Sequence, residues 1–544
     1  MENRPVPLLL ILALPVFLIY LGANTIWDAN EAFYVETPRQ MVLTGDWVRP
    51  TFNAQPRLNK PVLSYWIVAG LYRAFGISVG VERAGIAVGA LGIILAAFLI
   101  GRALRSTSTG LLAALIMATA PRMVMFSRRI FIDIYTSLFM ALALAAFTLA
   151  LRHPEHRRRY LLLMYVAMGL GFLTKGPVAV VLPGAVLVAW LALERRWADL
   201  RHLMLVPGAL IVAAIGLSWF VALWQVDGWA PIRGFFIGEN LDRFTTSMVP
   251  GDRSVFFYVP VLFGDLFPWA PLFAAPFVTA WRPRQPDERP ARASIRRLLW
   301  LWVVVITGAF TLSATKQDLY IFPVMPAVAA LVADALVASR FGADRGAMRS
   351  GLVLIAVLSL ASAGGIAWVV GGGRYALAGA IPAALAIAAG ALAALVGLVR
   401  GRPATAVPAL AAGFVVFNYL FVARALPDVE RFKPVAPLAR AFTDHAAPDA
   451  RLGAYGTMLP SLVYYANHPV EEIALAPRAA IDFLTSPGEA WMLVGGDELA
   501  DLSTRLPWLC LEAERTYFPF DQKLSAIAAG TVPPPLAMVS NRCR

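Results

Sequence analysis

The sequence predicts a polytopic α-helical membrane protein of about thirteen spans, followed by a small α/β domain. Three observations carry that prediction. Of 544 residues, 59% are hydrophobic and only 15% charged, with a mean hydropathy of +0.66, far from the roughly 25% charge of an ordinary soluble chain. Apolar runs close to the ~20 residues needed to cross a bilayer recur along the chain. Arginines gather at the ends of alternate runs, as cytoplasmic loops do.

Taken in order, the runs lie at 6–26, 83–103, 108–125, 134–151, 160–174, 177–193, 203–224, 258–281, 298–315, 319–339, 350–371, 375–399 and 404–425. The first has the length of a signal peptide. It lacks a clean small-residue cleavage site and leads straight into an acidic stretch, so it is expected to be retained. If the N-terminus is cytoplasmic, the inside segments carry Arg4, Arg102 and Arg105, Arg152 and Arg157 to Arg159, and Arg195, Arg196 and Arg201. The later ones carry Arg282, Arg284, Arg289, Arg292, Arg296 and Arg297, then Arg340, Arg345 and Arg349, then Arg400 and Arg402. The net charge of +13 is thus mainly a topology signal and no argument for nucleic acid. An odd number of spans then puts residues 426–544 outside, where "LGAYGT" and "WMLVGG" read as strands around the helix-like "SLVYYANH". Cys510 and Cys543 both lie there, free to form one disulfide in an oxidising compartment or to remain two thiols.

The chain therefore divides into a membrane domain, 1–425, with external loops at 27–82 and 225–257, and an external domain, 426–544. The unusual polar residues collect in those loops. "WDANEAFYVETPRQMVLTGDW" sets Asp28, Glu31, Glu36 and Asp46 among aromatic residues, and Lys60 stands before a proline in "RLNKPVLSYW". The second loop holds Glu239, Asp242 and Arg243. Short turns on the same face add Arg128, Arg129 and Asp133 in "SRRIFID", Lys175 in "LTKGP", and Lys316, Asp318 and Tyr320 in "ATKQDLY". Charges at the ends of apolar helices are costly unless paired or hydrated, so their collection suggests a shared polar cavity. Lysines at helix ends also snorkel to the interface, and Asp28 also suits a helix cap. Asp133, following "IFI" and preceding a long apolar helix, needs a partner or a function.

No HExxH, no clustered Cys and His and no GxxxxGK[ST] occur, so neither a nucleotide loop nor a typical zinc site is expected. Acids beside bases suit one chemistry well. A carboxylate takes the proton of an attacking hydroxyl, while Lys and Arg stabilise negative charge on a departing phosphate. A lipid-linked phosphate sugar supplies such a leaving group without external ATP.

The order of motifs resembles the bacterial relatives of protein O-mannosyltransferases, the glycosyltransferase family 39 and family 83 group of GT-C membrane enzymes that includes the aminoarabinose lipid A transferase. The resemblance rests on "DANEAFYVE", "TGDW", "NKPVLSYW", "IFIDIY", "FLTKGPVAVVLP", "ENLDRF", "FFYVPVLFGDLFPW" and "TKQDLYIFPVMPAVAAL", spanning roughly residues 20–340. It implies a GT-C fold and an inverting transfer of a sugar from a polyprenyl-phosphate donor to a lipid, glycan or protein hydroxyl. The reaction would lie at the outer face of the bacterial inner membrane, among membrane lipids. By the same resemblance, a first-loop carboxylate acts as base, Asp133 is the second acid, and Lys60, Arg243 and Tyr320 contact the donor phosphate; apart from the resemblance, Arg128 and Arg129 are the alternative phosphate-binding residues. The family's usual aspartate falls at Asn30, and an amide is no base, so the role passes to Asp28, or to Glu31. Asn59 stands where the aminoarabinose transferase has a glutamate, and "GEN" replaces a segment where histidine is common. Any divalent metal is therefore left open. An O-antigen ligase or polymerase would use similar donors without this early acidic loop, and a lipid-linked sugar transporter would be expected to show paired repeats.

Overall fold

In the computed structural model the described residues are 5–28, 30–242, 245–246, 253–280, 290–342, 346–371, 375, 377–456, 458–517 and 535–543. Arg243 and the loop arginines Arg4, Arg282, Arg284, Arg289 and Arg345 lie outside them. Among the described residues seven helices are long and apolar enough to cross a membrane: Val79–Leu104, Ile132–Arg152, Pro290–Leu312, Asp318–Ala338, Gly346–Val370, Ala380–Val399 and Pro403–Phe432. Two bent pairs raise the number to nine, and Pro5–Phe17, Thr107–Thr119 and Val178–Leu193 are apolar but shorter. The chain is a multi-pass membrane protein.

Local chemistry fixes where these helices begin and how closely they pack. Ser78 and Ser106 are in extended conformation and accept the amides of Val81 and Thr109, capping the helices that follow. Gly101 and Gly110 face each other so closely that a Cβ on Gly101 would lie 2.9 Å from the Cα of Gly110, and Gly390 and Gly413 repeat the arrangement. Small residues at such crossings let helix backbones touch where lipid offers no hydrophobic drive.

Besides a 45° bend between Leu205–Gly216 and Ser218–Asp227, the structure differs from the expected spans in three places. The run 258–281 is broken into Tyr258–Asp265 and Ala270–Phe277, bent by 114°. Asp265 ends the first piece, buried against Arg122 at 3.2 Å, and Pro268 and Pro271 prevent a continuous hydrogen-bonded ladder. The first run is helical only through Phe17, and the carbonyls of Val16 in its last turn and of Ile19 and Tyr20 beyond it accept hydrogen bonds from Arg128. The helix expected to stop at 425 continues to Phe432.

The first loop is ordered into a helix, Asn30–Thr44, a strand pair, Thr51–Phe52 with Gln55–Pro56, and a second helix, Leu63–Phe75. The strand turn uses Asn53 and Ala54, both at positive φ, and the Asn53 side chain exchanges two 2.8 Å hydrogen bonds with the main chain of Val470. Beyond Val435 the chain forms a five-stranded sheet in the order Glu471–Ile473, Arg451–Tyr455, Ala490–Gly495, Leu536–Ser540, Cys510–Arg515. The first three strands run parallel and Leu536–Ser540 is antiparallel to both neighbours. Cys510 and Cys543 are joined, tying the start of the edge strand to the residues after the last one. A cross-link over 33 residues is worth roughly 3–4 kcal/mol by loop-closure entropy.

Candidate active site

Two cavities hold most of the charged residues singled out in the sequence. The first, about 420 Å³, is lined by Lys60, Lys175, Glu239 and Tyr320 among apolar side chains that include Phe235 and Phe310. The second, about 400 Å³, is lined by Arg83, Arg122, Arg128 and Arg129, with Trp27 and Phe421 among its other walls.

The first cavity is built from helix ends. Asp133 sits in the first turn of Ile132–Arg152, and Lys175 ends Arg157–Lys175, the helix packed against it. A carboxylate at a helix N-terminus and an ammonium at a C-terminus each complement the helix dipole, and here the Lys175 Nζ donates to Asp133 Oδ1. Gly176 stops the Lys175 helix at φ +94°, where a Cβ would meet the Phe235 ring at 2.7 Å. The Lys175 ammonium also lies 4.8 Å from the Tyr320 ring centroid. Lys60 enters from the turn before Leu63–Phe75, and its Nζ donates to Glu239 Oε2 at 2.7 Å. Both groups are largely buried, so this charge pair is poorly screened by water. Lys316, named with Tyr320, instead turns its ammonium to the Ser313 carbonyl at 2.9 Å.

The second cavity is backed by Glu31, which is fully buried. Its Oε2 accepts the Trp27 amide at 2.9 Å and lies 3.3 Å from Arg83, while Oε1 accepts the Ile130 amide and lies 3.6 Å from Arg129. Arg83 also donates to the carbonyls of Leu21, Asn24 and Thr25. Arg122 bridges Asp265 and Asp318. The segments 127–133 and 317–320 border both cavities: Arg128 and Arg129 face one, while Asp133, through Lys175, and Tyr320 serve the other.

Asp28 lies in neither lining. Its two carboxylate oxygens accept the amide and the hydroxyl of Ser461, capping the helix Ser461–Ala466. Burial raises its carboxyl above the usual carboxylate range despite those bonds. The same seam holds Glu430, which accepts the Thr25 amide at 2.9 Å and the Asn24 side chain at 3.1 Å, and Lys433, whose ammonium lies 3.9 Å from the Trp27 ring centroid.

The sequence reading thus brings Lys60, Tyr320 and, through Lys175, Asp133 to one cavity. The structure separates Arg128 and Arg129 from them: Arg128 turns to the carbonyls of Val16, Ile19 and Tyr20, and Arg129 to Glu31. Arg83 and Arg122 were missed. The adjacent Glu82 and Arg83 at the head of an apolar run, and Arg122 within "TAPRMVMF", were the available signals. Among the described residues no group of three His, Cys, Asp or Glu side chains is placed to hold a metal ion. Near Lys60 the donors are the Asn59 amide and a Glu239 carboxylate already bonded to Lys60. That set does not fit a metal centre, and no step below uses one.

Residues 59–220 match the family model described as dolichyl-phosphate-mannose-protein mannosyltransferase. The chain is 33% identical over 376 residues to an undecaprenyl phosphate-alpha-4-amino-4-deoxy-L-arabinose arabinosyl transferase of Pseudomonas paraeruginosa, covering 66% of each. It is 30% identical over 342 residues to one from Pseudomonas fluorescens, covering 62% of this chain and 57% of that one. The matched segments span 66% and 57% of the length of these two curated relatives, less than two thirds of either. Over nearly the full chain, 99% of it and 98% of the other, the fold is similar to that of ArnT from Cupriavidus metallidurans bound to undecaprenyl phosphate, with a TM-score of 0.78 and 23% identity. The archaeal oligosaccharyltransferase AglB from Archaeoglobus fulgidus is a more distant likeness, with a TM-score of 0.53 and 14% identity over 96% of this chain and 75% of that one. In its motif order, in the family model matched over residues 59–220 and in its full-length fold, the chain is similar to the GT-C membrane glycosyltransferases.

Proposed function

We propose that this chain transfers a sugar from a polyprenyl-phosphate donor to an envelope acceptor at the outer face of the bacterial inner membrane, with inversion at the anomeric carbon. The observation that carries the reading is the first cavity: two lysines, a tyrosine and Glu239 set among mainly apolar walls, with the Asp133 carboxylate accepting from Lys175. Such a lining suits a phosphate on an isoprenoid tail. The relatives' names specify undecaprenyl phosphate and 4-amino-4-deoxy-L-arabinose, which makes a pentose on that lipid the first donor to try. The acceptor is a lipid A-like glycolipid, a glycan or a protein hydroxyl.

Asp133 takes the acceptor hydroxyl's proton as that oxygen forms a bond to the anomeric carbon. The bond from that carbon to the phosphate oxygen breaks, and the phosphate leaves with its electron pair. Lys60 and Lys175 offset the growing negative charge, the Tyr320 hydroxyl supplies a further donor, and the resemblance adds Arg243. Asp28 was the base preferred from sequence; both its oxygens are engaged with Ser461, so the role passes to Asp133 and Asp28 holds the C-terminal unit against the first loop.

Thirteen crossings follow if the seven long helices, the two bent pairs, the three short apolar helices and Arg157–Lys175 all span. With a cytoplasmic N-terminus, residues 435–544 are then periplasmic, where the Cys510–Cys543 bond is stable. A periplasmic reporter fused after Arg544 is expected to be active. A silent periplasmic reporter beside an active cytoplasmic one at the same site would put both cavities on the wrong side. The activity itself is tested by giving the purified protein a labelled lipid-linked sugar and following the label: covalent transfer supports the reading, and label that only changes membrane face overturns it.

A further inference from the structure

We infer that Arg122 and Asp318 are positioning residues for the proposed transfer: their ion pair fixes the short helix that aims Tyr320 into the donor cavity. The inference rests on the reading that this cavity holds the donor phosphate. Tyr320 lies in a 3₁₀ helix, Asp318–Val324, and lines the cavity with Lys60 and Lys175. Such a helix has about three residues per turn, so successive side chains leave it roughly 120° apart. Asp318, Tyr320 and Phe322 therefore stand on three different sides. Two of those sides are fastened from one short helix, Pro121–Phe126. Arg122 pairs with the Asp318 carboxylate, and the buried rings of Phe126 and Phe322 meet edge to face with centroids 4.9 Å apart. The third side carries Tyr320, whose ring centroid lies 5.0 Å from that of Phe310 and 4.8 Å from the Lys175 ammonium.

The Arg122 guanidinium is itself held in place. Its Nε lies 3.2 Å from Asp265 Oδ1, on a buried carboxylate, and its Cζ stands 4.1 Å from the Phe126 ring centroid. A carboxylate on one edge and an aromatic face beneath leave another edge of the planar fork for Asp318. Asp318 divides its oxygens: Oδ1 accepts the Leu319 amide at 3.0 Å, in the first turn of the helix, and Oδ2 takes Arg122. Just upstream, Arg253 donates to the Lys316 carbonyl at 2.8 Å. Arg122 lines the arginine cavity and Tyr320 the donor cavity, so the pair spans the wall between them. The Asp318 side chain is 47% exposed, and a pair so open to water adds little to global stability. Its consequence is local, in where Tyr320 stands.

The test measures undecaprenyl phosphate affinity and Tm on the full-length protein in detergent, for wild type, Asp318→Asn, Tyr320→Phe and the double variant. Asp318→Asn keeps an oxygen for the Leu319 amide and loses the charge that Arg122 grips. Tyr320→Phe removes a hydrogen bond to a charged group and is expected to weaken binding roughly ten- to hundredfold. Asp318→Asn is expected to weaken it about three- to tenfold alone and less than about twofold in the Tyr320→Phe background, the non-additivity of a residue that acts through another. Asp318→Glu, which restores the charge, should recover most of the affinity, with Tm held within about 2 °C throughout. An equal loss in both backgrounds, or no loss in Asp318→Asn while Tyr320→Phe weakens binding, overturns the inference. So does a loss that tracks a lowered Tm and is not recovered by Asp318→Glu, the mark of a merely structural pair. Unchanged affinity in Tyr320→Phe with a loss in Lys60→Met also overturns it, since Asp318 then has nothing to place, and leaves the donor cavity standing. Unchanged affinity in both Tyr320→Phe and Lys60→Met counts against the donor cavity itself and takes the inference with it.

Discussion

Asp133→Asn is expected to slow sugar transfer by about 10²–10⁴-fold, the usual contribution of a positioned proton acceptor. The amide keeps the size of the side chain and its place at the head of Ile132–Arg152, but it cannot take a proton. The effect belongs in kcat, because Lys175 loses a carboxylate that competes with phosphate for its ammonium, leaving the donor KM unchanged or lower. A raised donor KM with normal kcat would instead mean that Asp133 only orients Lys175. Two companion variants separate chemistry from architecture. Asp28→Asn can still accept the Ser461 amide and should keep most of the transfer rate, losing about 0.5–2 kcal/mol of stability as a weakened helix cap. Glu31→Gln leaves the buried Arg83 and Arg129 short of a carboxylate and should cost about 3–5 kcal/mol of stability, seen as a lowered Tm in detergent before any kinetic effect is read. Collapse of turnover in a folded Asp28→Asn protein would return the base to the first loop.

Lys60→Met is expected to weaken donor binding by about 2–5 kcal/mol, the range for removing one member of a buried charge pair, or roughly 30- to 5,000-fold in Kd. Part of that loss comes from leaving Glu239 without its ammonium partner, so the informative contrast is Glu239→Gln. Glu239 competes with the donor phosphate for Lys60, and its neutralisation should tighten donor binding. Binding of undecaprenyl phosphate to each variant in detergent reads both effects. Unchanged affinity in Lys60→Met would move the phosphate to the arginine cavity.

Much of the first cavity was legible because charge inside or beside apolar helices is rare and conspicuous. Asp133, Lys175 and Tyr320 stand at the ends of long apolar runs, and Lys60 is marked by the proline after it. What the sequence could not convey was partnership. Nothing in the spacing of Asp28 and Ser461, or of Lys60 and Glu239, brings them together; only the packing of the C-terminal unit and the second loop against the first loop does so. Arg128 and Arg129 look like donors to the same phosphate as Lys60, until the short first helix leaves carbonyls at Val16, Ile19 and Tyr20 that draw their loop the other way. Arg83 escaped notice because it stands at the first position of an apolar run, 83–103. The broken 258–281 run was foreshadowed by Asp265 and two prolines, yet mean hydropathy counts such residues too lightly to reveal a bend. The bond between Cys510 and Cys543 was one of two open readings, since sequence separation does not report distance.

The central claim is that this fold moves a sugar covalently from a polyprenyl phosphate. The direct test supplies purified protein, in lipid, with undecaprenyl phosphate carrying a radiolabelled sugar, beginning with 4-amino-4-deoxy-L-arabinose and extending to hexoses, together with envelope lipids and glycans as acceptors. The account predicts label in a new covalent product with inverted anomeric configuration, one undecaprenyl phosphate released per sugar moved, and loss of both in Asp133→Asn. Label that stays on its lipid with every sugar tried, and merely appears on the opposite face of the vesicle, would contradict it and identify a transporter.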